Sequence, residues 1–272
     1  MMMSLLSYDF IRRALFVGAL VAVCSALLGV SLVLRRYSMI GDGLSHVGFG
    51  AMSVALAMNV APLLVSVPVV IMAAFLMLRI NKSSTLKGDS IIALISSSSI
   101  AFGVIVTSLT SGLNVDVYSY MFGSIYSISK DDAWIAGGLA IAVIFIWIFF
   151  YDKIFIVTFD ENFASATGTK TGVWNTLTAL LTAVTVVVGM RVIGTLLISS
   201  LIIFPALTSM QLFKSYKAVT LSAAVVSLGA FAAGVLISFA LSTPTAATVV
   251  IVNLLCFVLF FLLGKIRKGC GA

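Results

Sequence analysis

Asp42 and His46 are the residues of this sequence best equipped for chemistry. They lie four positions apart, and His46 is the only histidine. Both fall within RRYSMIGDGLSHVGFGAMSVALAM, residues 35–58, which otherwise reads as a membrane-spanning helix. At this spacing the two side chains leave one helical face. An ionisable group at bilayer depth costs about 2.5–3.5 kcal/mol on insertion scales, so it is disfavoured unless it faces a polar path or a partner. Ser45, Phe49 and Ser53 continue the face, while Gly41, Gly43, Gly48 and Gly50 allow close approach of a backbone or a solute. The stripe is therefore expected to border a pore, with Ser45 and Phe49 as pathway residues. A carboxylate oxygen with an imidazole nitrogen suits zinc, manganese or iron(II), whereas carboxylate alone would better suit magnesium or calcium. The same pair one turn apart can also bond to itself as a buried structural site, and the residues alone leave both readings open.

Such residues need an apolar scaffold, and the composition supplies one. The 272 residues are 61% hydrophobic and 9% charged, with a mean hydropathy of +1.22, which excludes an ordinary soluble protein. The expectation is a multi-pass membrane protein in contact with lipid. Its net charge of +7 is carried in short clusters between apolar runs rather than on a nucleic-acid-binding face. No nucleic-acid partner is expected. Cys24, Cys256 and Cys270 are too widely spaced for a disulfide framework or a CxxC knuckle. Gly168-Thr169-Lys170 lacks the upstream glycine of a phosphate loop, and no GxSxG elbow occurs, so neither ATP binding of that kind nor serine hydrolysis is expected. Ser96–Ser99 reads as a small, polar helix-packing surface.

Runs of spanning length occur at Ala14–Leu34, Met39–Met58, Ala61–Leu78, Ile91–Ser111, Ala133–Tyr151, Val173–Met190, Val192–Phe213, Ala218–Leu241 and Ala247–Gly264. They suggest an all-α protein of about eight or nine transmembrane helices. Pro62 and Pro68 could break or tilt the third, which leaves eight full spans and one partial segment as the alternative. Arg191 separates two runs without a polar spacer, so either a very tight external turn forms there or Arg191 is buried; the turn is the simpler account. Of the 16 Lys and Arg residues, only Arg12, Arg13, Lys130 and Arg191 fall in one set of alternate connections, and the rest fall in the other. The base-rich set is expected in the cytoplasm, with the N-terminus outside and the C-terminus inside. The external segment 114–132 is aromatic and amphipathic, which suits an interfacial or inward-dipping loop or a plain aromatic belt. Segment 159–170, FDENFASATGTK, opens with acids and closes near Gly168, as a short cytoplasmic helix would.

Five stretches in order, RRYSMIGDGLSHVGFG (35–50), VDVYSYMFGSI (115–125), FDENFASATG (159–168), MRVIGTLLISSLIIFPALTS (190–209) and STPTAATVVIV (242–252), carry a resemblance across nearly the whole chain. The chain resembles the membrane permease subunits of bacterial ATP-binding-cassette importers for zinc, manganese and iron. That resemblance implies one permease domain, 1–272, of the vitamin B12 and metal type in the bacterial cell membrane. It further implies a homodimer, two cytoplasmic ATP-binding subunits and an extracellular metal-binding protein. The permease would be no enzyme itself and would hold no permanent cofactor, the metal being cargo. Asp42 and His46 would be the metal ligands. Asp160, Glu161, Ala164 and Gly168 would couple to the ATPase, and Pro205 would bend or statically kink the gating helix. Manganese-type members tend to carry a second His and an acid where ISFALSTPTAAT has Ala240 and Ser242, so zinc is preferred over manganese or iron. The alternatives are a proton-coupled secondary metal transporter and an importer of a metal chelate, the latter needing no ligand pair at 42 and 46.

Overall fold

The computed structural model describes residues 9–83, 88–110, 123 and 130–269. Every regular element among them is an α-helix. In chain order these are α1 Asp9–Leu34, α2 Ile40–Ala57, α3 Pro62–Ser83, α4 Gly88–Leu109, α5 Lys130–Phe149 and α6 Tyr151–Phe159, followed by α7 Glu161–Ala166, α8 Thr171–Ile193, α9 Thr195–Met210, α10 Tyr216–Leu241 and α11 Thr245–Gly269.

Helices α1 and α9 cross at the centre of the interior, to which α2 and α8 also give most of their residues. The Leu15–Leu34 part of α1 is 72% buried, and α1 packs against α5, α8, α9 and α10. Short α9 packs against α1, α2, α8, α10 and α11, and buries Leu197, Ile198, Leu201 and Ile202 completely or nearly so. Their closest approach is at Gly29, where a Cβ would overlap the Ile202 carbonyl oxygen. Only glycine permits that crossing. Around this centre α2, α3 and α4 pack on one another, α3 and α8 pair, and α10 with α11 covers the other flank of α9. The outward faces of α4, α10 and α11 carry exposed leucine, isoleucine, valine and phenylalanine, as a lipid-facing rim requires.

Apolar contact gives little specificity when the solvent is itself apolar, so buried hydroxyls help set the packing. Ser227 donates to the Ala22 carbonyl at 2.8 Å, the Ser31 and Tyr216 hydroxyls lie 2.8 Å apart, and Ser209 donates to Ser222 at 3.1 Å. These bonds join α1 to α10 and α9 to α10. The serine run of α4 packs only in part: Ser96 is buried and Gly50 of α2 lies directly against the Ser99 backbone, while Ser97 and Ser98 are exposed.

The helical pattern differs from the sequence expectation at three places. Five helices are long and apolar enough to cross a membrane, or six if α5 and α6, bent by 74° at Phe150, count as one span. The expected eight or nine spans are therefore not all found among the described residues. In α2, Asp42, His46 and several glycines dilute the apolar content; α9 is only 16 residues long. Secondly, the prolines do not break α3: Pro62 occupies its first position, where a missing N–H costs little, and Pro68 lies within a continuous helix. Thirdly, Arg191 is not the turn. It belongs to the last turn of α8, where the helix dipole favours a cation, and the break comes at Gly194 with φ 89° and ψ 160°. A side chain is scarcely tolerated in that backbone region. The expected aromatic external segment 114–132 lies mostly outside the described residues. Its Gly123 packs against the Ile193–Gly194 backbone so closely that a Cβ would come within 2.6 Å of the Gly194 nitrogen.

Gly194→Ala is expected to destabilise the folded chain by about 1–3 kcal/mol because alanine cannot relax into this conformation. Gly137→Ala, at a position where a Cβ would meet nothing within 4 Å, is expected to be neutral. Thermal unfolding of both variants in the same detergent checks the difference.

Candidate functional site

The chain turns sharply between α1 and α2. Arg36 takes the left-handed conformation at φ 61°, and the Tyr37 N–H donates back to the Leu32 carbonyl at 2.8 Å. This short turn delivers Asp42 into the first turn of α2, where the helix dipole favours a negative charge. His46 follows on the same face. Its Nε2 is 3.6 Å from Asp42 Oδ1, beyond hydrogen-bond length, so the two groups are adjacent without being locked together. The histidine side chain is 20% exposed and the aspartate 34%. Two ligands on one tetrahedral zinc, each at about 2.0–2.1 Å, would stand about 3.3 Å apart, so a small adjustment brings this pair onto a single ion.

The rest of the expected stripe turns inward. Ser45 is fully buried and donates to the Asp42 carbonyl at 2.7 Å; Ser53 donates to the Phe49 carbonyl at 3.0 Å. Phe49 is wedged against Gly103 of α4. Thus Asp42 and His46 hold the open edge of α2, while Ser45, Phe49 and Ser53 lie in contacts within the chain. Beside them, Gly41 packs on Ile202 of α9. Pro205 is buried in the same α9, which continues through it as a helix. One stripe of α9 remains only half covered: Leu196, Ser199, Ile203, Leu207 and Met210, spaced by three or four residues. Among the described residues no group of three or more His, Cys, Asp or Glu could hold a metal ion. Ala240 and Ser242, the positions that distinguish the manganese pattern, lie at the exposed end of α10, where Ser242 adopts the left-handed conformation.

The second candidate region is α7, shorter than the 159–170 helix the sequence suggests because Phe159 still belongs to α6. Asp160 caps it by accepting from the Phe163 N–H at 2.9 Å. Glu161 meets Arg35 Nη2 at 3.4 Å and accepts from Asn175 Nδ2 at 2.9 Å, which ties α7 to the end of α1 and to the first turns of α8. Ala164 is completely buried, and Gly168 ends the segment at φ 80°. The four residues singled out in sequence therefore hold the helix in place. Asn162, Phe163, Ser165 and Ala166 form its exposed face, with Phe163 57% exposed. An exposed phenylalanine amid polar neighbours suits the anchor of a docking surface. Sequence reasoning missed Phe163, Arg35 and Asn175. Only the aromatic position inside an otherwise polar loop could have signalled the first.

Behind α7, Tyr216 sits in a cluster of rings. Its centroid lies 5.2 Å from Phe155, 5.5 Å from Tyr151, 5.9 Å from Phe159 and 6.5 Å from Trp147. Through these contacts α6, which leads directly into α7, is seated against α5 and α10.

Comparison with known proteins gives this geometry a context. A family model described as the ABC 3 transport family matches residues 7–264. The chain is 25% identical to the manganese import system permease protein ScaB of Streptococcus gordonii, over 96% of this chain and 94% of that protein. It is 26% identical to the high-affinity zinc uptake system membrane protein ZnuB of Haemophilus influenzae, over 93% and 97%. A probable metal transport system membrane protein of Thermotoga maritima is 32% identical over 93% and 89%. Among solved structures, PsaBC from Streptococcus pneumoniae in complex with Fab has a chain that superposes with a TM-score of 0.85 at 24% identity, covering 96% of this chain and 94% of that one.

Asp160→Ala removes the acceptor for the Phe163 N–H, and lost caps cost about 1 kcal/mol. Amide exchange across Phe163–Gly168 should accelerate about fivefold by that figure, with the amides of α1 unchanged, as hydrogen-exchange mass spectrometry would show.

Proposed function

The chain belongs to the ABC 3 transport family, and from that premise we propose that it forms the zinc pathway of an ATP-driven importer as a homodimer, with Asp42 and His46 of both copies as the ligands. It is the membrane permease subunit of a metal importer, a multi-pass membrane protein. ATP hydrolysis belongs to a separate subunit, and a substrate-binding protein is the other partner of such a system.

The observation that carries the metal reading is the adjacent, unlocked pair on the open edge of α2. Among the described residues one copy offers only two donors here, too few to hold a transition metal. Two copies facing one another across this edge would supply two carboxylates and two imidazoles, a set that suits four-coordinate zinc. The two carboxylates would also balance the charge of a divalent cation, which limits the cost of holding it in an apolar surrounding. A site assembled from loosely held side chains at a subunit boundary binds reversibly, as conduction demands. Zinc is favoured over manganese or iron by the four-donor count of this mixed set and by Ala240 and Ser242, which add no ligand.

The base-rich ends then lie in the cytoplasm, the N-terminus outside and the C-terminus inside. In that orientation α7 is cytoplasmic and Phe163 is presented to the ATPase. Asp160, Glu161, Ala164 and Gly168 keep that presentation rigid, so that motion of the partner is passed to α1 and α8. The external protein would deliver the ion to the opposite end of the channel. Ser45, Phe49 and Pro205 act in this scheme as supports of the path, the first two by fixing α2 and the third by weakening α9 where it can bend. The whole of 1–272 works as one permease domain.

In proteoliposomes holding the permease with its ATPase and binding protein, ATP-dependent uptake of radioactive zinc should fall by more than about tenfold in Asp42→Ala and in His46→Ala, since loss of an outer-shell partner alone commonly costs 10–100-fold. Unaltered ATPase co-purification with both variants would assign the loss to the ligands. Uptake that persists in both, or that follows a proton gradient without ATP, refutes the reading.

A further inference from the structure

An open recess of about 710 Å³ lies at the end of the bundle where α9 runs into α10 and where α11 finishes. Gln211, Phe213, Lys214 and Ser215 line it from the connection, and Gly264 and Arg267 line it from α11. Gly264 is in contact with the carbonyl oxygen of Gln211, where a Cβ would stand at 2.9 Å, so the two walls meet at the floor. Lys214 and Arg267 are both exposed, and among the described residues no carboxylate lines the recess. Two further bases, Lys217 and Lys265, are exposed on the adjoining turns. The first turn of α10 opens at the same place, and its dipole adds partial positive charge. The electrostatics therefore select an anion.

The recess is not a purely aqueous site. It continues into an apolar surface: Phe213 is exposed at its rim, and Leu262, Leu263 and Ile266 are exposed along the last turns of α11. The Thr245–Arg267 span is only 17% buried, so nearly all of this face is available to lipid. A small anion would use the cations and leave that surface idle. An acidic protein surface would use the cations, yet it has no means of covering an apolar face that runs on into the membrane.

We propose that this recess binds the phosphate-bearing headgroup of an anionic phospholipid, whose acyl chains lie along the exposed face of α11. Lys214 and Arg267 hold the phosphate from two sides, while Gln211 and Ser215 line the recess with their side chains engaged on Leu207 and Ala218. A bound lipid would brace the end of α11 against the α9–α10 connection, which otherwise touch at the Gly264–Gln211 contact.

The test is binding of phosphatidylglycerol to the full-length chain in detergent, measured by native mass spectrometry and by titration. Lys214→Gln with Arg267→Gln should weaken phosphatidylglycerol binding about thirtyfold, taking about 1 kcal/mol for each base near an anionic lipid. The charge-preserving pair Lys214→Arg with Arg267→Lys should retain it, and Lys153→Gln should have no effect. Equal affinity of the double glutamine variant, or equal binding of phosphatidylcholine, overturns the proposal. Displacement of the lipid by millimolar inorganic phosphate overturns it in favour of a soluble anion. If the double glutamine variant keeps its lipid but no longer co-purifies with an ATPase subunit, the cations serve a protein partner instead.

Discussion

A cation that crosses an apolar slab must exchange water for protein donors, and a helix that carries such donors must itself be kept in place without a hydrophobic driving force. The second half of that constraint shapes most of this structure. Lipid is as apolar as leucine, so α1 and α9 are brought together by shape, with Gly29 admitting the Ile202 carbonyl, and by hydroxyl bonds such as Ser227 to Ala22. The resulting centre is buried and closely packed. Helix α2 packs on its border through Gly41 and Ile202, and this position leaves one edge of α2 uncovered. There Asp42 and His46 stand partly exposed, neither sealed in nor lost to solvent.

The attachment of α7 shows which interactions are strong enough to transmit movement. The Arg35–Glu161 pair is long, at 3.4 Å, and partly exposed, so its contribution is about 0–1 kcal/mol. By itself it could not hold a helix of six residues against a moving partner. The ring cluster around Tyr216 contributes more, since each aromatic pair stabilises by about 0.5–1.5 kcal/mol beyond its buried area. Four rings surround Tyr216, and its hydroxyl is fixed on Ser31 of α1. The ion pair therefore sets the register of α7, while the rings carry the load.

Much of this is legible in the sequence because it depends on local rules. The i, i+4 spacing of Asp42 and His46, the acidic start of α7 and its glycine stop all follow from helix geometry, and the structure places each accordingly. The turn after α8 falls three residues beyond the charge that suggests it in the sequence. Backbone conformation decides that boundary, and Gly194 tolerates what Arg191 cannot. The pairing of Glu161 with Arg35 spans 126 positions and leaves no periodic trace. The inward rotation of Ser45 and Phe49 is equally hidden, because five positions on one helix define a stripe but only neighbouring helices decide which part of it is covered. Sequence periodicity reports a face; tertiary contact divides it.

The division has a mechanical consequence. Arg35, which meets α7, and Asp42, which begins the candidate metal pair, flank a single turn that contains the strained Arg36 and the Tyr37–Leu32 bond. A displacement of α7 need not travel through the packed core to reach the ligands, because the segment that receives it also positions them. The core formed by α1 and α9 would resist deformation, as close-packed interiors do. The α1–α2 turn, by contrast, is short, its backbone hydrogen bonds reach only the last turn of α1 and the first turn of α2, and α2 is rich in glycine. If two copies pair as proposed, differential stiffness of this kind would let a small movement of a surface helix change the distance between their Asp42–His46 pairs while the centre of each copy stays intact. In the proposed importer, the metal site sits at the junction of the stiff and the compliant parts, where such a movement has its largest effect on ligand geometry.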